Sequence, residues 1–520
     1  MTDAPEAKAT LADWLAVAGA IVGAFTAILD IQITNSSLAN IEGAIGASAE
    51  QGSWISTAYL MAEIVVIPLT GWLGSILGLR RFLSVNTCLF VVFSIACAQS
   101  TSLAQLIIFR AGQGFTGGVL IPTAVTIIRT RLPKSQQGLG ITFFGLTATF
   151  APAIGPTIGG WLTDNFSWHY IFYLNLVPGP IAAIIQLIAL PKQRARWAEL
   201  PKGDWFGIAA MAIGLSSLTY VLEEGQLKEW FESDVISRLT IVAAVGIACF
   251  LLRELTAANP FINLRVLGNR TIGASCMLMT VLGAVSLGST YVIPLYCAQI
   301  QGYNAEQIGY VVMWSGLPQL VLFPAMPFLM KRFDARILVI IGTLLFASSC
   351  FINVNLTHDV GMDQLILPQL LRAAGQPLFA IPLTQLATAG LSPRDTADAS
   401  ALSNMMRNLG GSVGIAMLST VIERREHFHF SILAEAMTQN ATRTQERIAM
   451  LMAGLRNGVA DPAMAKAQAL MSLAAQVRRE AYVSAYSDAF WIVGVGLIIS
   501  LSAIVLLKRP RRTAAPVEAH

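Results

Sequence analysis

Fourteen stretches of mostly apolar residues follow one another through this 520-residue chain, more than a soluble core could bury. They lie near 14–38, 53–75, 82–99, 103–127, 137–162, 169–190, 205–222, 236–253, 271–296, 306–330, 335–354, 364–389, 398–422 and 488–507. A helix rising ~1.5 Å per residue needs about 20 residues to cross a hydrocarbon core ~30 Å thick. Most of the stretches have that length; those at 205–222 and 236–253 are short. Only 12% of the residues are charged, about half the ~25% of a soluble domain. The composition excludes disorder, a nucleic-acid binder and a disulfide-rich secreted domain. The expected fold is an all-α polytopic membrane protein.

Loop charge sets an orientation. Cytoplasmic loops are enriched in Lys and Arg. With the N-terminus inside, alternate loops hold Arg80, Arg81, Arg129, Arg131, Lys134, Lys192, Arg194, Arg196, Lys202, Arg253, Arg265, Arg270, Lys331, Arg332, Arg336 and Arg394. The tails add Lys8, Lys508, Arg509, Arg511 and Arg512, while the short outer loops hold only Lys228 and Arg238. A missed or invented span would scramble this alternation. The expectation is fourteen spans, with tails 1–13 and 508–520 both cytoplasmic. The start MTDAPEAKATLADW lacks a basic region leading into a short apolar stretch, so no cleaved signal peptide is expected.

Segment 423–487 lies outside, between the last two spans. Ile448, Leu451, Met452 and Leu455 recur at helical spacing before Gly458. Asp461 and Pro462 then match an N-cap followed by the first helical residue. Two readings stand: an amphipathic hairpin lying on the bilayer, or a docking surface for a partner protein.

Two spans resemble each other. LIIFRAGQGFTGGVLIP contains Arg110, Gln113 and Pro122; LPQLLRAAGQPLFAIP contains Arg372, Gln376 and Pro382. One register slip aligns them. A repeat of this kind is the mark of two-lobed transporters with a site between the lobes near the midplane.

From these residues the chain resembles the major facilitator superfamily, and within it the fourteen-span drug:proton antiporters of the EmrB and QacA type, closer to the EmrB-like branch. The likeness runs from about 14 to 507 and rests on five elements. They are LDIQITNSSLANI (29–41), the Arg110–Gly112–Gln113–Gly114 motif, APAIGPTIGGW (151–161), FSWHYIFYLNLVPG (166–179) and SNMMRNLGGSVG (403–414). The resemblance implies an N-terminal six-helix lobe (14–190), a linker with two extra spans (191–270) and a C-terminal six-helix lobe (271–507). It further implies drug export by alternating access, driven by the proton gradient without a cofactor, in a bacterial inner membrane. Its partners would be a periplasmic adaptor protein and an outer-membrane channel. One element departs from the family. The loop after the second span reads Gly71-Trp72-Leu73-Gly74-Ser75-Ile76-Leu77-Gly78-Leu79-Arg80-Arg81. Ser75 stands where the family has an acid, and Ile76 and Leu79 where it has bases, so the loop is not expected to act as a charge latch.

Charged side chains at a helix centre cost about 2.5–3.5 kcal/mol on insertion scales and tend to face a bundle interior. Asp30 is one, with Thr34 and Ser37 on its face. Glu63 is another, sharing its face with Ser56, Tyr59 and Thr70. A carboxylate moving between an apolar setting and an arginine takes up and releases a proton, and the resemblance puts that role on Asp30 first. Arginine stays charged, so Arg110 is the counter-ion, with Asp30 its expected partner. Either carboxylate could instead be a static structural partner. Arg372 with Gln369 and Gln376, and Arg407 with Asn404, would bind substrate or hold the second lobe together. Gly155, Gly159 and Gly160 admit a neighbouring helix, and Pro156 bends their own, as a gating element at the lobe interface would require.

Substrate contacts are sought among Gln113, Tyr59, Phe143, Tyr291, Arg372, Gln376, Asn404 and Arg407, with Trp54, Phe144, Tyr296 and Trp314 as further aromatic walls. Each aromatic could equally face lipid. The six cysteines lie in apolar runs without a CxxC pair, and the five histidines form no metal or catalytic set. No nucleotide-binding loop is present, so no enzyme is expected. The rival readings are a dedicated exporter of one metabolite or siderophore, a proton-coupled importer, and a non-transporting scaffold.

Overall fold

Each apolar stretch lies on helix in the computed structural model, which describes residues 9–257, 262, 264–388, 393–437, 442–455 and 462–507. No strand occurs among the described residues. The first lobe comprises α1 (Leu11–Ser36), α2 (Trp54–Leu77), α3 (Leu79–Ala98), α4 (Leu103–Arg131), α5 (Lys134–Asn165) and α6 (His169–Ala189). A hairpin follows, α7 (Trp205–Glu224) and α8 (Asp234–Thr256). The second lobe contains α9 (Arg270–Gln299), α10 (Gln307–Arg332), α11 (Ala335–Asn353), α12 (Met362–Thr388) and α13 (Pro393–Ala436). It closes with α14 (Thr442–Leu455) and α15 (Pro462–Ile504).

Eleven of these helices are long and apolar enough to cross a membrane, and the bent α5 makes twelve. The two others expected to span, α12 and α13, carry Arg372 and Arg407 in mid-helix, which lowers their hydropathy without shortening them. The bend in α5 is 41° between Pro152 and Ile154. Pro156 lacks the N–H that would bond the Pro152 carbonyl and its ring crowds that turn, so the kink falls one turn before the proline.

Local chemistry sets the helix ends. Thr10 and Asp13 form a reciprocal capping box at the start of α1. Asp204 and Asp334 accept N-terminal amides of α7 and α11. Between α2 and α3, Gly78 has φ +81°, where a side chain would be strained.

Two apolar cores hold the lobes. In the first, the alanine face of α1 (Ala16, Ala20, Ala24, Ala27) packs with Tyr59, Phe90, Leu120 and Ile127. In the second, Leu278, Tyr296, Phe346, Phe379, Leu383 and Tyr486 pack together. A third cluster joins α2 (Ile64, Leu69), α7 (Met211, Leu215), α9 (Ile272, Cys276) and α13 (Ala399, Leu402, Met405).

The loop between α2 and α3 is closed without an acid. Arg196, from the segment after α6, donates its backbone amide to the Ile76 carbonyl at 2.7 Å and its guanidinium to the Ser75 carbonyl at 2.9 Å. Gln193 accepts from the Leu79 amide at 2.9 Å. Ser75 turns back on the Trp72 carbonyl.

Segment 423–487 begins and ends within two long helices. α13 and α15 run unbroken for 44 and 43 residues, about twice what the hydrocarbon core requires. Their 423–436 and 462–487 parts continue the helices beyond the stretches expected to span. They are tied together by Arg425 and His429 on Asp488, at 2.6 and 2.7 Å, and by Arg478 on Glu426 at 3.1 Å. Gly458 and the Asp461 cap lie outside the described residues, as do most of both tails.

Candidate functional site

Asp30 lies in the C-terminal third of α1, 2% exposed, with donors converging on both carboxylate oxygens. Arg110 on α4 donates from Nη1 to Oδ2 at 2.6 Å. Gln113, one turn along α4, donates to Oδ1 at 2.8 Å and accepts from Arg110 at 2.8 Å. Asn175, at the kinked start of α6, donates to the same Oδ1 at 2.6 Å. Such charge-assisted bonds are roughly twice as strong as neutral ones. Arg110 is fully buried, lies 4.4 Å over the Tyr59 ring, and keeps Nη2 without a partner.

Packing brings these groups together. Gly114 on α4 lies against the Tyr59 backbone, where a Cβ would overlap it, so α2 and α4 cross in direct contact. The ion pair expected between Asp30 and Arg110 is present. Tyr59 and Gln113, sought among substrate contacts, instead lie inside this network: Tyr59 stacks under the guanidinium and Gln113 bonds the carboxylate. Thr34 turns its hydroxyl to the Asp30 backbone carbonyl and Ser37 accepts from Thr163, so neither joins the carboxylate.

Asn175 was missed. It lies in the FYLNLVPG element that carried part of the resemblance, but its place opposite Asp30 depends on tertiary packing. Ser94 supports it, accepting from Asn175 at 2.9 Å and donating to the Phe172 carbonyl at 2.8 Å.

Glu63 on α2 is 7% exposed. Gly118 of α4 lies against its Cα and Cγ. Arg407 presses its carbonyl against Gly283 of α9, a contact only glycine permits. Thr70 bonds the Val66 carbonyl, and Ser56 bonds Asn35.

The second lobe holds the matching arginine, with no acid paired to it among the described residues. Arg372 donates from Nη1 to the Thr290 hydroxyl on α9 at 3.1 Å, and its Nε is buried without a partner. Gln376 accepts from Gln319 on α10 at 3.2 Å.

Gly155 and Gly159 both face α1: added Cβ atoms would lie 2.6 Å from Gln32 Cβ and 2.5 Å from Ser36 Oγ. They set the fit of α5 on the Asp30 helix, within the first lobe. The same helix α5 also packs on α10 of the other lobe, where Thr142 donates to the Phe323 carbonyl at 2.9 Å. Among the proposed aromatic walls, Phe143 is 44% exposed and stacks edge-on with Trp14, and Tyr291 is 37% exposed.

The family profile described as the Major Facilitator Superfamily matches residues 20–415. The chain belongs to the major facilitator superfamily. It is 32% identical over 499 residues to the colistin resistance protein EmrB of Acinetobacter baumannii, covering 96% of this chain and 97% of that one. It is 30% identical to the multidrug export protein EmrB of Escherichia coli K12 (94% and 93% covered). It is 29% identical to the fatty acid resistance protein FarB of Neisseria gonorrhoeae (98% of each). Among solved structures, the fold is similar to a peptide transporter, POT, in complex with sulfate (TM-score 0.58, 15% identity, covering 95% and 96%). It is also similar to the proton:xylose symporter XylE (TM-score 0.58, 13% identity, 94% of each). These likenesses establish the fold.

Proposed function

We propose that this protein is a proton-coupled multidrug exporter that expels amphipathic compounds by alternating access. The observation that carries the reading is the fully buried Asp30–Arg110 pair, completed by Gln113 and Asn175. Resistance and export relatives along nearly the whole chain support it. A buried ion pair is weak evidence of stabilisation, since hydrophobic replacements often do as well. Its presence inside an apolar helix bundle is better explained by use.

In this reading a proton arriving on Asp30 cancels the charge that holds Arg110, and the freed guanidinium takes another arrangement. Glu63, buried on α2, is the second proton-binding carboxylate. The proton gradient drives the cycle and no cofactor takes part. Gly155, Pro156, Gly159 and Gly160 let α5 hinge against α1. Substrate would meet Phe143, Tyr291, Arg372, Gln376, Asn404 and Arg407 between the lobes.

The bacterial inner membrane is the proposed location, with both termini cytoplasmic. The outer ends of α13 and α15 would meet a periplasmic adaptor that leads to an outer-membrane channel. Everted membrane vesicles test the reading: addition of a lipophilic cation should release protons from an acidified lumen. No release with any compound that the protein protects cells against would reject it.

A further inference from the structure

The hairpin α7–α8 packs mainly on the first lobe; it touches the second through the apolar cluster of Met211 and Leu215 with α9 and α13, and through polar groups at its outer end. The two helices cross at Gly214 and Gly246, so closely that a Cβ on either would overlap the other's backbone. The hairpin therefore moves as one piece.

Its hold on the first lobe is broad. Tyr220 and Trp54 stack with ring centroids 4.8 Å apart. Tyr220, Val221 and Ile236 pack with Trp54 and Met61 of α2. Thr57 donates to Glu224 Oε1 at 2.9 Å, with Glu224 only 1% exposed.

Its outer hold on the second lobe is made of hydrogen bonds. Trp230 donates from its indole to the Thr420 hydroxyl on α13 at 3.1 Å. Gln226 donates to the Glu423 carboxylate on the same helix. Polar bonds of this kind contribute little net free energy, because water can replace them once they part.

The turn that presents Trp230 is strained. Glu229 and Trp230 have φ of +57° and +52°, the positive-φ residues other than glycine among those described. Such a residue is strained and persists only where its surroundings over-determine it. Here the Trp230 amide bonds the Gly225 carbonyl at 2.7 Å, and its indole also reaches Gln226 at 3.0 Å.

We propose that the outer end of this hairpin is a gate latch: it rides with the first lobe and closes the extracytoplasmic side through Trp230–Thr420 and Gln226–Glu423. This gives the two extra spans a function in transport, and it rests on the alternating-access reading above. On outward opening the polar contacts to α13 break, the strained turn relaxes, and Tyr220 stays on Trp54.

Spin labels test it in the full-length protein, in nanodiscs, after replacement of the six native cysteines. Labels go on Asn40 (first lobe), Leu227 (hairpin) and His427 (second lobe), all exposed. Distances are read at acidic and alkaline pH, with and without tetraphenylphosphonium. The latch predicts that Leu227–His427 and Asn40–His427 shift together, by more than about 5 Å, the scale of a one-turn displacement, while Asn40–Leu227 stays fixed. A fixed Leu227–His427 distance while Asn40–His427 shifts would place the hairpin on the second lobe and overturn the latch alone. If Asn40–His427 never shifts, the lobes do not rock, and the alternating-access reading fails along with the latch. The double variant Thr420→Val, Glu423→Ala should raise the population of the long Leu227–His427 distance. An unchanged population would show that these contacts hold nothing shut.

Discussion

Asn175 donates to the Asp30 oxygen that Gln113 also bonds, 2.6 Å away and from a different helix. The carboxylate is thereby held between α4 and α6, and the proton site depends on how those two helices sit against α1. Asn175→Leu removes a hydrogen bond to a charged group, of the class worth about 1.5–3 kcal/mol. Proton-coupled transport should fall about tenfold or more, with a lower melting temperature. Asn175→Asp should be worse, because it sets a second acid beside the first. Initial transport rates and thermal unfolding in detergent check both.

The Asp30–Arg110 pair makes a non-additive prediction. Removing one partner of a buried ion pair costs about 3–5 kcal/mol, whereas replacing both can be neutral. Arg110→Gln and Asp30→Asn should each lower the melting temperature, and the double variant should recover most of the loss. All three should fail to couple transport to protons. Thermal unfolding of the four proteins gives the interaction energy.

Gly155 is fitted to α1, and Gly71 has nothing within 4 Å of the position a Cβ would take. Gly155→Val overpacks a tight helix crossing, a change that costs about 1–3 kcal/mol, and should abolish transport. Gly71→Ala should leave stability and transport near wild type. Expression, unfolding and transport measured side by side separate the two.

Arg372 supplies a converse test. Its Nε is buried without a partner, and Thr290 offers a hydroxyl where the first lobe offers Asp30. Thr290→Asp should raise stability by about 1–3 kcal/mol, the worth of charge-assisted bonds. Thermal unfolding checks this; a lower melting temperature would mean that the arginine is already compensated.

The sequence showed the spans, the two lobes and the Asp30–Arg110 pairing because all three depend on costs that are local or large. A buried charge in hydrocarbon must find a counter-charge, and each apolar stretch must find lipid or a neighbour. Asn175, Tyr59 and Gln113 were harder to place. Their roles depend on which face of α6, α2 or α4 turns toward Asp30, and an apolar helix buried on several sides leaves no periodicity to read. For segment 423–487 two readings stayed open, because amphipathic spacing fits a helix on a surface and a helix that continues a span equally well. The closure of the α2–α3 loop by Arg196 was invisible for another reason: it uses backbone carbonyls, which carry no sequence signature.

The most direct test of the account is drug-driven proton flux in proteoliposomes with a pH-sensitive dye inside, comparing wild type with Asp30→Asn and Glu63→Gln. The account predicts that lipophilic drugs move protons through the wild type, that Asp30→Asn abolishes the flux, and that Glu63→Gln reduces it. Equal proton flux in all three proteins would contradict it.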